Sequence, residues 1–322
     1  MILILSTPTD QDTNGVIDWL MYRKEPFFRL NDGDLMQGIT SFNHNPANLL
    51  ETYFEQHSQK IFLKDIKVVW YRKFAFLDDY EKKLGLNNDL LDFVYLEFRN
   101  LYNLILSLLE GKKSLCMKSM TFSKLDILNK ANNARLKTPD TLITNNRLKL
   151  KEFYTNNNCS IITKSIGEAK HIKYGSNEFT FAIHKVENID LLPLNFSPSL
   201  FQMYIDKEIE IRTFFLDNKC YSMAIFSQNN KKTKLDFRNY DSEKPNRFVP
   251  YKLPEIIEER ICSFMNSVGL NTGSLDIIKS KKNGEYYFLE VNPFGQFGMT
   301  SSPCNYNLHK KIADFLIKNK NG

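Results

Sequence analysis

The residues best suited to chemistry stand near the C-terminal end, where Asp276 is followed, one predicted hairpin later, by Glu290-Val291-Asn292-Pro293. Side chains alternate across a strand, so Glu290 and Asn292 share a face. A carboxylate and an amide oxygen suit a hard cation such as magnesium. Asp276 joins them only if the hairpin register allows it. A two-residue Asn283-Gly284 loop would pair Asp276 with Val291 and turn it to the wrong face. A three-residue loop, Lys282-Asn283-Gly284 with Gly284 left-handed, pairs Asp276 directly with Glu290. The metal reading therefore expects an odd-length loop with a bulge. An E-x-N triplet alone is equally a solvated strand end; Asp276 across the hairpin and the Pro293-Phe-Gly-Gln296 continuation favour the metal site.

Cations suited to phosphate lie upstream. Arg212 follows Glu210 at the strand period of two, so both reach one face, and a guanidinium there can hold a γ-phosphate as charge spreads over its oxygens. The competing reading is an ordinary cross-strand ion pair. Lys130 and Lys164 carry compact ammonium groups, but in a chain with 43 Lys+Arg a given lysine is normally solvated, and position alone does not single these two out. Arg238, within Leu235-Asp-Phe-Arg238-Asn239, is a further candidate for phosphate or a substrate carboxylate, against a plain loop charge.

These residues need three positioning units, expected at 1–118, 119–198 and 199–322. The first reads as α/β: apolar strands Ile2–Leu5 and Lys67–Tyr71, with a long helix from about Asn88 to Glu110 and Gly111 as its cap. Glu25–Asp32 alternates like another strand. In the second, Ser123-Lys-Leu-Asp126 resembles an N-cap box for the helix that carries Lys130 and ends before Pro139. A helix over Arg147–Tyr154 then leads to the strand Ser160–Lys164, a polar loop, and one strand over Phe179–Val186. The third is rich in β-runs: Leu200–Ile205, Ile209–Leu216 and Cys220–Ser227, with a tight turn at Asp217-Asn218-Lys219. Pro254 opens a helix to about Val268, and a helix over Tyr306–Lys318 ends the chain.

The 322 residues exceed one small core. A net charge of +6, from 43 basic against 37 acidic residues, suits an anionic ligand but is too small for a nucleic-acid binder. The five cysteines are scattered without a C-x-x-C pair, as expected of unpaired thiols in a reducing compartment. The opening MILILSTPTDQD lacks a signal-peptide pattern, and acidic and basic residues interrupt the apolar stretch Leu90–Leu109, so no membrane span is expected. A cytoplasmic location follows.

Gly273-Ser-Leu-Asp276-Ile-Ile with Glu290-Val-Asn292-Pro-Phe-Gly-Gln296 resembles the metal-binding end of ATP-grasp enzymes, and most of all the graspetide (microviridin-type) maturases of ribosomal peptides. The likeness runs over nearly the whole chain: Trp70-Tyr-Arg-Lys73, Asn129-Lys130 ahead of Leu136-Lys-Thr-Pro139, Phe201-Gln202 through Glu210-Ile-Arg212, Ser227-Gln228 and Asp236-Phe-Arg238 all fit. It implies an ATP-grasp fold of the α/β (α+β) class: a pre-ATP-grasp α/β domain, a small central α/β subdomain and a C-terminal antiparallel-sheet subdomain. It also implies ATP and two magnesium ions. Adenine would lie against the backbone of Gln202, Met203, Tyr204 and Ile205, ribose near Glu210, phosphates on Lys130 and Lys164, metal on Asp276, Glu290 and Asn292, with Arg212 and Arg238 catalytic. One departure is plain: the loop after Lys164 holds only Gly167 and Gly175, so the glycine-rich phosphate cradle of many relatives is not evident.

The implied reaction turns a Glu or Asp side-chain carboxylate of a ribosomal precursor peptide into an acyl phosphate, which a Ser, Thr or Lys side chain displaces to close an ω-ester or ω-amide ring. The partner implied is a precursor with leader and acidic, Thr-rich core; the chain's two ends look most like maturases that accompany a radical-SAM (SPASM) protein. Several enzymes of this architecture form homodimers, which no stripe in the sequence decides. Asn229-Asn-Lys231-Lys232-Thr-Lys234 reads as a solvated loop before an acidic-peptide contact. No Ser-His-Asp or Cys-His set proposes a covalent enzyme intermediate, and His171 and His184 read as structural. Two rivals stand beside this reading: a ligase adding a free amino acid to a peptide terminus, and a non-catalytic ATP-binding scaffold.

Overall fold

The computed structural model describes residues 1–74, 87–116, 124–167, 171–174, 177–180, 183–228, 230, 233, 235, 237 and 241–321. It divides into two compact units, Met1–Met120 with Gln296–Gly322, and Thr121–Gly295.

The first unit is built on a parallel sheet, ordered β2-β1-β6-β7, of β1 (Ile2–Ser6), β2 (Phe27–Asn31), β6 (Val68–Tyr71) and β7 (Lys113–Leu115). Every residue of β1 and β6 is buried, which explains why both read as unbroken apolar runs rather than alternating ones. The helices α1 (Gln11–Tyr22), α2 (Asn88–Leu108), α6 (Gly298–Cys304) and α7 (Leu308–Asn321) belong to this unit. Asp10 caps α1 by accepting the Thr13 N–H at 3.0 Å, and Gly111, at φ +84°, allows the chain to leave α2. A separate antiparallel meander joins β3 (Ser41–Asn43), β4 (Tyr53–Gln56) and β5 (Gln59–Phe62). The terminal helix starts two residues later than expected, at Leu308.

Among the described residues, the second unit holds a two-stranded antiparallel sheet and two larger ones. One, in the order β12-β9-β13-β8, comprises β8 (Thr141–Asn146), β9 (Ile161–Lys164), β12 (His184–Lys185) and β13 (Asn195–Met203). The other, β16-β15-β14-β17-β18, comprises β14 (Lys207–Leu216), β15 (Lys219–Phe226), β16 (Arg247–Tyr251), β17 (Thr272–Ser280) and β18 (Tyr286–Asn292). Asp217 and Asn218, both at positive φ, make the two-residue turn between β14 and β15. The expected single strand over Phe179–Val186 is two: β11 (Asn177–Thr180) pairs with β10 (His171–Tyr174), whereas β12 pairs with β9. The polar loop after Lys164 therefore contains a hairpin.

The five-stranded sheet divides its labour by face. Ile211, Phe215, Leu275, Ile277 and Phe288 point into a core closed by Ile261, Phe264 and Met265 of α5 (Glu255–Ser267) and by Ile127 of α3 (Lys124–Asn133). Phe264 and Phe288 meet at 5.0 Å between ring centroids. The alternate residues Glu210, Arg212, Asp276 and Ile278 project to the opposite face. In the smaller sheet, Ile161 and Phe201 pack on Leu150 of α4 (Arg147–Asn156).

Candidate active site

The hairpin register brings the expected oxygens together by a route that counting from the turn did not foresee. Asp276 pairs with Glu290, and Ser274 with Asn292. Yet Ser280 donates its N–H to the Glu285 carbonyl at 2.9 Å, which leaves a four-residue loop, Lys281–Gly284, with Gly284 left-handed at φ +69°. The odd residue sits inside the strand: between Asp276/Glu290 and Ile277/Phe288 the ladder slips, and Leu289 is the bulge. Two consecutive side chains, Leu289 and Glu290, thereby line the same cleft. Arg212 completes the row across three strands, pairing with Asp276 in the ladder and bonding its carboxylate at 2.7 Å through Nη1.

That cleft, about 740 Å³ when the space to its open mouth is included, lies in the second unit. Its apolar walls include Ile162, Ile183, Met203, Ile278 and Leu289, and Lys164, Lys207, Glu210, Asp276 and Glu290 are its charged residues. Gln202, Met203, Tyr204 and Ile205 all line it. Gln202 is buried and bonds Thr141 Oγ1 at 2.9 Å, while the N–H groups of Met203 and Tyr204 bond the carbonyls of Asp140 and Ser160. Burial raises the pKa of the Tyr204 hydroxyl. A second hollow, shared through Lys164, Leu289 and Glu290, reaches α3 at Leu125, Ile127 and Leu128.

Eight of the expected residues thus line one cleft, and three others among the described residues, Lys130, Arg212 and Asn292, are not in its lining. Lys130 sits on α3 with its ammonium 2.9 Å from Asp126. Arg212 reaches the cleft's acidic row through Asp276. Asn292 is exposed and accepts the Phe294 N–H at 2.9 Å. Arg238, like Asp236 and Lys231, Lys232 and Lys234, lies outside the described residues. Reasoning from sequence missed Lys207. A regular strand would turn Lys207 and Glu210 to opposite faces, but β14 slips between Lys207 and Ile209, and both reach the cleft. The pair is buried, with Nζ 2.6 Å from Oε1.

The donor set suits a hard divalent cation and phosphate. Among the described residues no three His, Cys, Asp or Glu side chains form a metal cluster. Two carboxylates with an amide oxygen, completed by phosphate and water, is nonetheless the ligand pattern magnesium takes. Arg212 Nε is buried and, among the described residues, finds no hydrogen-bond partner, as an unfilled anion contact would leave it. Gly295 makes this packing possible: a Cβ there would lie 2.5 Å from Ser274 Cβ and 3.0 Å from Arg212 Nη2.

The chain resembles known structures along its whole length. A RiPP-associated ATP-grasp ligase of Chryseobacterium gregarium, in complex with ADP and a leader and core peptide, matches with a TM-score of 0.83 at 25% identity, covering 98% of this chain and 96% of that one. Macrocyclase MdnC of Microcystis aeruginosa, bound with precursor peptide MdnA, gives a TM-score of 0.79 at 26% identity over 99% of each chain. ATP-grasp ligase PsnB, complexed with minimal precursor, Mg and ADP, gives 0.79 at 18% identity over 99% and 97%. No protein-family model and no curated protein matches the sequence. No described helix is long and apolar enough to cross a membrane.

Proposed function

We propose that this chain, whose fold is that of the RiPP-associated ATP-grasp ligases, is an ATP- and magnesium-dependent ligase that closes rings within a ribosomal precursor peptide. The observation that carries the reading is the row Arg212–Asp276–Glu290, aligned across three strands at the edge of a cleft with apolar walls. Adenine would lie among Ile162, Met203, Ile278 and Leu289, read by the backbone beyond Tyr204. Glu210 would accept from ribose hydroxyls, and Lys164 would hold the phosphates. Asp276, Glu290 and Asn292 would hold magnesium, which when bound neutralises phosphate charge and orients the terminal phosphate.

The chemistry then balances simply. An acidic side chain of the peptide attacks the terminal phosphorus, the bond to ADP breaks, and an acyl phosphate forms. Arg212 offers its guanidinium to the charge that spreads over the transferred group. A Ser or Thr hydroxyl, or a Lys amine, attacks the acyl carbon; phosphate leaves with one carboxylate oxygen, and the nucleophile's proton passes to solvent. Each ring costs the peptide one water. Arg238 is proposed as a second anion contact, Lys130 as a further phosphate contact reached once it leaves Asp126, and a radical-SAM (SPASM) protein as a companion. A homodimer belongs to the same proposal.

The test is ADP release with magnesium and a candidate acidic, Thr-rich precursor, with the peptide mass read from the same tube. ADP that depends on peptide, together with losses of about 18 Da per ring, supports the cyclising ligase. Gain of an amino-acid mass would identify the amino-acid ligase instead, and ATP binding without peptide-dependent ADP would identify a scaffold.

A further inference from the structure

The bulge in β14 places a second buried ion pair in the cleft, and its arrangement is specific. Lys207 is only 4% exposed and Glu210 8%. Lys207 Nζ lies 2.6 Å from Glu210 Oε1, and Ser227 Oγ donates to that same oxygen at 2.5 Å. Lys207 also donates to the Leu235 carbonyl at 3.2 Å. An ammonium and a hydroxyl converging on one oxygen fix the rotation of the carboxylate, so its approach to the cleft is set before any ligand arrives. A carboxylate accepts but does not donate, and therefore selects ligands that offer hydroxyl or amine protons. Burial of such a pair is a poor source of stability, because desolvation offsets much of the attraction. Its value lies in geometry.

We infer that Lys207 is a positioning residue which, with Ser227, presets Glu210 to read the sugar hydroxyls of the bound nucleotide. The inference rests on the nucleotide reading above and assigns Lys207 no contact with the reacting atoms. It predicts a selectivity effect rather than a uniform loss of binding.

Calorimetric titration of the full chain with ADP, 2′-deoxy-ADP and 3′-deoxy-ADP tests it. Wild type should prefer ADP over at least one deoxy analogue by about 10-fold, the scale of one hydrogen bond to a charged group. Lys207→Met should lose most of that preference, with ADP affinity falling toward that of the analogue, and Lys207→Arg should restore part of it. Parallel weakening of all three ligands in Lys207→Met would mark a merely structural lysine and overturn the inference. If Lys207→Met does not fold, Ser227→Ala, which leaves the ion pair intact, carries the test: preference should drop to about 3-fold, and an unchanged preference overturns the inference. Wild type that binds ADP without sugar preference overturns it too. Wild type that binds no ADP at all removes the nucleotide reading and this inference together, and is recognised by that total absence.

Discussion

Each unit of the molecule buries an arginine against aspartate, and the two arrangements differ in what surrounds them. In the first unit, Arg72 bonds Asp10 through Nε at 3.1 Å and Asp12 through Nη2 at 3.0 Å. Every carboxylate oxygen there has a partner: Asp10 also takes Lys73 Nζ and both Thr13 donors, and Asp12 takes the Phe297 and Gly298 N–H groups and His309. In the second unit Arg212 bonds Asp276 at 2.7 Å, keeps a buried Nε without a partner among the described residues, and adjoins a cleft through Asp276. A saturated network ties distant parts of the chain, here residues 10–12 to 297–309. An arginine that keeps a donor unpaired beside a cleft suits the anion contact proposed for Arg212. On the proposed function, it is saturation of the hydrogen bonds, rather than burial or charge, that distinguishes the Arg72 network from the Arg212 row.

Mutations should separate these roles. Glu290→Ala should lower peptide-dependent ADP release at least about 100-fold while leaving the urea midpoint nearly unchanged; a large midpoint shift with retained turnover would make Glu290 structural. Arg72→Met should do the reverse, costing about 3–5 kcal/mol in urea unfolding, because buried Asp12 loses its guanidinium partner and Asp10 keeps only Lys73 as an ion-pair partner among the described residues. A loss as small as a surface pair's would break the comparison. Gly295→Ala should cost about 1–3 kcal/mol, because the new Cβ meets Ser274, and it should slow ADP release by displacing Arg212. Ser274→Gly in the same chain should restore both, and failure to do so would place the strain elsewhere.

The pH dependence gives the smallest effects, with opposite signs. Burial pushes the Asp10 carboxyl up, but the Arg72 charge and hydrogen bonds from Lys73 and Thr13 pull it well below the usual range. Its stabilisation is present above the ordinary carboxylate pKa and is lost as pH falls below about 4. Burial raises Asp32 to about 6. Its contribution is complete below the ordinary pKa and is lost as pH rises through 6, so stability should decline across that window and Asp32→Asn should flatten the decline. A wild-type profile already flat between pH 4 and 6 would contradict this.

How much of this was legible in the sequence depended on distance along the chain. The alternation of Glu290 with Asn292 and of Glu210 with Arg212 is local, and the faces it predicts are those observed. The pairing of Asp276 with Glu290 was also anticipated, although the extra residue was placed in the turn rather than at Leu289. Bulges are set by packing on neighbouring strands, so neither Leu289 nor the slip that exposes Lys207 to the cleft has a signature in the sequence. The Arg72 network was invisible for a related reason: Asp12 and Gly298 meet across nearly the whole chain. Sequence separation of that size carries no periodic signal.

Isotope transfer tests the central claim most directly. A precursor peptide carrying ¹⁸O in its acidic side chains, turned over with ATP and magnesium, should release phosphate bearing one ¹⁸O for each ring closed, because the carboxylate oxygen leaves on phosphorus. Rings that form while released phosphate stays unlabelled would contradict activation of the carboxylate through an acyl phosphate.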